Sequence, residues 1–253
     1  MDAGGSEPIE GRNPVLEALR AGRAIDRLLV AEGTSPGFVD KLAALARERG
    51  VRVEFVGRAH LEGLARSRAH QGVVAFAPAR EYAGVEDVLA RAGGGGAALV
   101  VALDGVEDPQ NLGAIIRSCD AAGAHGVVLT ERRSAPLGPG AVKASAGAVE
   151  HVPVARVVNL VRTLETLKEA GLWVYGADGQ GDRVYHEVDL TGPAVIVIGG
   201  EGHGLSRLVK ERCDFLIRIP MFGKVNSLNA SAAAAVILFE ARRQRGAAGR
   251  PAP

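Results

Sequence analysis

The sequence predicts an α/β protein with a small N-terminal unit and a larger C-terminal domain built on a parallel sheet. Three observations carry that prediction. Past residue 97, runs rich in Val, Ile, Leu and Ala recur between helix-like segments. Near-continuous apolar runs are what strands covered on both faces require. Before residue 80, shorter apolar runs alternate with amphipathic stretches, which implies a separate small α/β unit of two or three layers. Between them stands Gly93-Gly94-Gly95-Gly96, a flexible linker by composition. The expected division is residues 7–79, a linker over 80–96, and a domain over 97–246.

The N-terminal unit opens with Glu10-Gly11-Arg12-Asn13-Pro14 and a helix over Val15–Arg20. A strand is expected at Arg27–Ala31. A helix over Pro36–Arg49 carries Val39, Leu42, Ala43, Leu45 and Ala46 on one face, and Gly50 ends it. Val51–Val56 reads as a strand, His60–Ala65 as a short helix and Gly72–Phe76 as a strand. Arg80–Gly96 is a poor core candidate. In the second domain strands are expected at Leu99–Asp104, Gly126–Thr130, His151–Ala155, Leu172–Ala177, Ala194–Ile198 and Phe215–Ile219. Helices are expected at Asn111–Ala122, Ala141–Ala146, Val158–Ala170, Leu205–Arg212 and Ser227–Arg245.

Composition narrows the function classes. The 253 residues suffice for two modest domains, and 47% apolar with 23% charged residues is ordinary for a globular protein. Aromatics make up only 4%, so a module that stacks bases on aromatic platforms is excluded; contact with RNA would rest on Arg, Lys and backbone groups. A net charge of +1 leaves room for basic residues clustered on one face. Cys119 and Cys213 lack CxxC spacing and read as buried thiols, so no metal site is expected. That cysteine usage fits the cytoplasm. No apolar run has the length of a membrane span, residues 1–7 do not form a signal peptide, and the Gly/Ala/Pro-rich end from Gly246 is expected to fray.

Three stretches carry the chemistry. Each follows a predicted strand, where open α/β sheets bind ligands. The first is Asp104–Arg117. Asp108-Pro109 is a turn signal and Asn111 is expected to cap the following helix, with Arg117 roughly on the same face. A capped helix with a solvated arginine is the plain alternative. The second is Gly199-Gly200-Glu201-Gly202-His203-Gly204. The glycines let backbone approach a ligand. The order is neither GxGxxG nor a P-loop, and Glu201 would repel phosphate, so a cationic or hydroxyl-bearing ligand fits better. The third is Ile219-Pro220-Met221 through Ser227-Leu228-Asn229-Ala230-Ser231, where three polar residues open an Ala-rich helix although N-capping needs only one.

Together these stretches resemble the SpoU/TrmH family of RNA ribose 2′-O-methyltransferases, of the SPOUT class. The motif Asn-x-Gly-x(3)-Arg matches Asn111, Gly113 and Arg117. Gly-x-Glu-Gly-x-Gly matches Gly199–Gly204. Ile-Pro-Met-x-Gly-x(3)-Ser-Leu-Asn-x-Ser matches Ile219–Ser231, and Lys-x-Ser-x-Gly-Ala-x-Glu-x-x-Pro matches Lys143–Pro153. The N-terminal unit resembles the family's small substrate-binding domain, similar to certain RNA-binding ribosomal proteins, through Gly11–Val15 and His70-Gln71-Gly72-Val73. Among two-domain members, the chain is most similar to those that methylate a guanosine in 23S ribosomal RNA.

The resemblance implies a trefoil knot at the C-terminal end, a homodimer formed through the knotted domain, and S-adenosylmethionine (SAM) as methyl donor. It places SAM against Gly199, Gly202, Ile219, Met221 and Leu228, with Leu129 and Thr130 nearby. It makes Arg117, Asn111, Glu201, Ser227 and Asn229 the catalytic set, and assigns RNA contact to Arg12, Asn13, His70, Gln71 and Lys143. A guanidinium normally keeps its proton, so we expect Arg117 to clamp phosphate or a developing alkoxide rather than act as a base. The alternatives are a tRNA or antibiotic-resistance rRNA methyltransferase of the same fold, and a non-catalytic RNA-binding assembly factor. A dinucleotide enzyme is disfavoured because no GxGxxG follows the first strand of the larger domain.

Overall fold

The computed structural model describes residues 6–65, 70–78, 80–93 and 97–248. In the N-terminal unit, strands β1 (Ser6–Glu10), β2 (Arg27–Ala31), β3 (Val53–Val56) and β4 (Val73–Pro78) form a sheet in the order β1-β4-β2-β3. Only the β2–β3 pair is parallel. Helices α1 (Arg12–Arg20) and α2 (Pro36–Glu48) bury Val15, Leu19, Leu42 and Ala46 against one face. The short α3 (Arg58–Leu64) seals the other with Leu61 on Leu29 and Val74. The unit therefore has three layers.

Two readings of this unit are corrected. The first helix begins at Arg12, not Val15, because Pro14 falls in the first turn, where its missing N–H has no partner to lose. Strand β1 was not expected from Ser-Glu-Pro-Ile-Glu. It lies at the sheet edge, where Pro8 is tolerated, and Pro8 and Ile9 are buried.

The segment expected as a linker contains helix α4 (Val85–Ala92). Val85, Val88, Leu89 and Ala92 share one face by i, i+3, i+4, i+7 spacing, and Val88 and Ala92 are buried in the larger domain. The glycine run that suggested a linker follows this helix. Its last three members, 94–96, lie outside the described residues.

The larger domain holds β5 (Leu99–Asp104), β6 (Gly126–Thr130), β7 (Val154–Val157), β8 (Trp173–Ala177), β9 (Arg183–Val184), β10 (Ala194–Gly199) and β11 (Phe215–Arg218). Every pairing is parallel, in the order β7-β6-β5-β10-β8-β11-β9. Helices α5 (Pro109–Ala122), α6 (Pro139–Ala144) and α9 (Ala230–Ala248) belong to one face. Helices α4, α7 (Leu160–Glu169) and α8 (Arg207–Lys210) belong to the other. Burying an isoleucine stabilises by roughly 1.5–3 kcal/mol, so the fully buried Ile115, Ile116, Ile237 and Leu238 suffice to hold α5 and α9 on the sheet.

The seventh strand was expected at His151–Ala155 but runs from Val154 to Val157. Ala148–Glu150 form a 3-10 turn, and Pro153 precedes the strand. The two-residue β9 was too short to read. The end expected to fray from Gly246 is helical to Ala248, and residues 249–253 lie outside the described set. No described helix is long and apolar enough to cross a membrane.

The two units are docked through an ionic seam. The Glu150 carboxylate, 4% exposed, lies between Arg23 at 3.3 Å and Arg80 at 2.5 Å. Beside it Glu17 of α1 pairs with His151 at 3.1 Å and with Arg20, and its β-carbon stands where a side chain at Gly147 would go. Burial alone would raise the Glu17 carboxyl; hydrogen bonds to His151 and Arg20 outweigh it and hold it below its ordinary value. A depressed carboxylate stabilises the folded state above the unfolded value near 4.5, and that contribution fades as pH falls through the folded value. Thermal melts of the parent and Glu17→Gln should therefore differ at neutral pH and converge as the buffer is acidified below about pH 4.5. A gap that stays constant down to the acid limit would contradict this role.

Candidate active site

The strand order reverses between β5 and β10, and the crevice outside their carboxyl ends is where such sheets place ligands. Strand β5 delivers Asp104 and Gly105 there, and β10 delivers Gly199 and Gly200. The Gly200 N–H donates to the Asp104 carbonyl at 2.8 Å, and a β-carbon at Gly200 would overlap the Gly105 carbonyl. The Ser206 N–H donates to the Asp104 carboxylate at 2.6 Å and closes the far side of the loop. Only glycine allows this approach.

The loop so held places Glu201 against two asparagines. Asn111 Nδ2 donates to Glu201 Oε1 at 2.8 Å. Asn229 Nδ2 reaches both Asn111 Oδ1 and Glu201 Oε1 at 2.8 Å. Asn111 is buried, at 4% exposure, and the other two are exposed. The carboxylate thus rests on neutral amides, with no ion pair among the described residues. Its second oxygen takes no hydrogen bond from them.

Two capping expectations are corrected here. The cap of α5 is Asp108, whose Oδ1 accepts from the Gln110 N–H at 2.9 Å. That frees Asn111 to face the loop. Helix α9 starts at Ala230, not Ser227. Asn229 caps it, with Oδ1 accepting from the Ser231 N–H at 2.9 Å and the Ser231 hydroxyl at 2.6 Å. One asparagine thus starts a helix with its oxygen and joins the triangle with its nitrogen. Gly113, one turn into α5, meets α6 so closely that a β-carbon would lie 2.5 Å from Ala144 Cβ.

Arg117 does not share Asn111's face. Six residues at about 100° each turn it roughly 120° away. It is exposed and makes no ion pair with a described residue. Ser227 lies in the exposed loop before α9 and lines the cleft next to the triangle.

That cleft has a volume of about 810 Å³. Ile198, Ile217, Ile219, Met221 and Leu228 give it an apolar side, and Gly199 and Gly202 lie along the Gly-rich loop. At the β8 end, Asp178 pairs with Lys210 at 2.5 Å and accepts from the Gln180 N–H at 2.8 Å. Burial would raise the Asp178 carboxyl, but these bonds prevail and lower it.

Sequence reading did not single out Asp178, Gln180 or Lys210. Asp178-Gly179 directly after a buried strand was the available signal. Leu129 and Thr130 do not line the cleft. Leu129 is buried in the core, and the Thr130 hydroxyl donates to the Arg132 carbonyl at 2.6 Å. Burial pushes the Cys213 thiol up to about 12 and raises Cys119 as well, which leaves both unreactive. No cluster of three or more His, Cys, Asp or Glu among the described residues could hold a metal ion.

In the N-terminal unit, Arg12 Nε donates to the Gln71 carbonyl at 3.3 Å, and its guanidinium lies 4.9 Å from the centre of the Phe38 ring. His70 is buried and accepts from the Gly72 N–H at 3.2 Å. Asn13 is exposed beside Arg12, and Lys143 is exposed on α6.

The larger domain thus pairs a parallel sheet with a glycine-floored cleft at its switch point, and a small α/β unit is docked beside it. The chain belongs to the SpoU rRNA methylase family, whose model matches residues 98–239. Residues 8–83 match the RNA 2′-O ribose methyltransferase substrate-binding domain. A TrmH-family tRNA/rRNA methyltransferase of Bacillus subtilis is 45% identical over 240 residues, covering 94% of this chain and 96% of that protein. The crystal structure of the SpoU methyltransferase AviRb from Streptomyces viridochromogenes, in complex with AdoMet, has a TM-score of 0.78 at 32% identity; the match covers 97% of this chain and 92% of that one. An AdoMet-bound rRNA methyltransferase from Sinorhizobium meliloti has a TM-score of 0.78 at 33% identity, covering 94% of this chain and 87% of that one.

Since the Gly105 carbonyl fills the place of a Gly200 side chain, Gly200→Ala must push the Gly-rich loop off its seat. Overpacking of this kind costs about 1–3 kcal/mol. The melting temperature should fall by several degrees, and amide exchange should quicken at residues 200–204. Unchanged exchange there would contradict the close crossing.

Proposed function

We propose that this chain transfers the methyl group of SAM to a ribose 2′-hydroxyl of ribosomal RNA, with a guanosine of 23S rRNA as target. The Asn111–Glu201–Asn229 triangle at the mouth of the cleft carries this reading. The cleft fits SAM. Its volume of about 810 Å³ is within the usual range for small-molecule sites. Its apolar side suits an adenine ring, and the loop along it is seated by close backbone crossings at Gly199 and Gly200. A carboxylate in place of a cation suits a sulfonium better than a phosphate. Gly199, Gly202, Ile219, Met221 and Leu228 would hold the cofactor, with Asp178 and Lys210 at its polar end. Leu129 and Thr130 would support the neighbouring strand rather than touch it.

Bound SAM supplies a methyl on a sulfonium that is already a good leaving group. The chain's own residues must therefore orient a weak nucleophile and stabilise charge on it. Two amides fix Glu201, and its free oxygen accepts a hydrogen bond from the ribose. Ser227 and Asn229 line the same opening. Arg117 acts as a cationic clamp on phosphate or on the growing alkoxide. Because Arg117 points away from the triangle of its own chain, a homodimer is part of this reading. The exposure of Phe222 (97%), Val225 (69%) and Phe239 (51%) supports a second copy over this region. A knotted path through residues 199–229 and action in the cytoplasm also belong to it. Arg12, Asn13, His70, Gln71 and Lys143 would engage RNA on the N-terminal unit and the α6 surface. A tRNA substrate is the second reading, favoured by the tRNA/rRNA naming of the Bacillus relative.

The test is transfer from methyl-labelled SAM to unmodified 23S rRNA, beside 16S rRNA and tRNA, with the product located by resistance to alkaline cleavage. A 2′-O-methyl in 23S rRNA, reduced at least a hundredfold by Arg117→Ala, is expected, by analogy with the loss of a single transition-state donor, about 10²–10³. Modification of tRNA alone would select the second reading. A protein that does not bind SAM would overturn both.

A further inference from the structure

We infer that Arg133, on the loop after β6, is an RNA-backbone contact built beside the catalytic triangle; the inference rests on the RNA-methylation reading. Arg133 is in the left-handed region at φ 58°. A side chain of this length rarely adopts that conformation unless its surroundings impose it. Here they do. The Thr130 hydroxyl donates to the Arg132 carbonyl at 2.6 Å and lies 2.8 Å from the Ser134 hydroxyl. On one side the Glu131 N–H bonds the Val157 carbonyl at 2.9 Å; on the other, the Ala135 N–H bonds the Val106 carbonyl at 2.9 Å. Ala135 is buried, which fixes the loop against the turn that follows β5.

The strained turn aims the guanidinium at the triangle's support. Arg133 Nη2 lies 3.6 Å from the β-carbon position of Gly105, the glycine whose carbonyl seats Gly200 and so Glu201. The charge remains available. Its only ion pair with a described residue is to Glu107, at 3.7 Å, with both side chains about two-thirds exposed (68% and 64%). Arg132 beside it is exposed and forms no ion pair among the described residues. A planar guanidinium with free donors suits bidentate capture of a phosphate. Gly200 packs on the Gly105 carbonyl and Arg133 on its Cβ position; in this inference the RNA strand that reaches the triangle passes Arg133. Its ligand is a phosphodiester of the substrate strand adjacent to the methylated nucleotide.

The test compares the full-length parent with Arg133→Gly, Arg133→Lys and the distant surface control Arg162→Ala. Glycine adopts φ 58° freely, so Arg133→Gly removes the guanidinium while keeping the turn. Unmodified 23S rRNA transcript is the probe, for methyl-transfer kinetics and for filter binding across a potassium chloride series. For Arg133→Gly we expect KM for RNA to rise about tenfold and the salt slope of log affinity to fall by about 0.7–0.9, the loss of one phosphate contact. SAM affinity and melting temperature should stay at parent values. Arg133→Lys should restore the slope but only part of the KM. A KM within twofold of the parent and a salt slope changed by less than about 0.3 in Arg133→Gly would overturn the inference, as would losses equal to those of Arg162→Ala. A change in kcat or SAM affinity with RNA affinity intact would also overturn it. A parent that binds SAM but neither binds nor methylates RNA overturns the underlying reading as well.

Discussion

At Gly200 the chain passes so close to Gly105 that a carbonyl oxygen fills the space a β-carbon would need. Much of the site depends on this steric constraint. It ties the end of β10 to the end of β5 at the switch point of the sheet, and a backbone hydrogen bond of 2.8 Å between Gly200 and Asp104 holds the crossing in register. Glu201 follows immediately and has little freedom in where it points. Two asparagines, separated from each other by more than a hundred residues of sequence, then meet its carboxylate. Each is fixed by its own helix: Asn111 is in the first turn of α5, and Asn229 caps α9. The helices are held in turn by Ile115, Ile116, Ile237 and Leu238 in one core cluster. Packing energy in the core is thereby converted into positional precision at a polar surface.

The seam between the units serves the same end at longer range. Glu150, nearly enclosed, faces Arg23 of the N-terminal unit and Arg80 of the connecting segment. Removing one partner of a buried ionic group typically costs about 3–5 kcal/mol, because the remaining charge is left uncompensated. The N-terminal unit is therefore held to the 3-10 turn beside α6. In the proposed reading, that keeps Arg12 and Lys143 in a fixed relation to the triangle while substrate is bound.

Much of this was legible in the sequence, for identifiable reasons. The strands Leu99–Asp104 and Gly126–Thr130 were readable because buried parallel strands are unbroken apolar runs, and their ends are punctuated by Asp-Gly or polar turns. Asn111, Glu201 and Asn229 stand out because each falls in a stretch that resembles a family motif, and the structure brings all three within hydrogen-bond distance. Asp108 caps α5 where Asn111 was equally eligible, since Asp and Asn are equally good caps and sequence alone does not choose between neighbours. Arg117 departs from the expected face because six residues fall about a third of a turn short of two whole turns. Helix α4 was hidden by the glycines after it, and β1 by its charge and proline. The Asp178–Lys210 end of the cleft joins the loop after β8 to the last residue of α8, a pairing that no local pattern encodes.

The central claim is that Asn111, Glu201 and Asn229 act as one unit. A double-mutant cycle on Asn111→Ala and Glu201→Ala, read in kcat/KM for methyl transfer with melting temperature as a folding control, tests it most directly. If the residues form one hydrogen-bonded unit, the second substitution will cost far less than the first, with a coupling of at least about 1 kcal/mol. Losses that add to within about 0.5 kcal/mol would show that the residues act independently and would contradict the account.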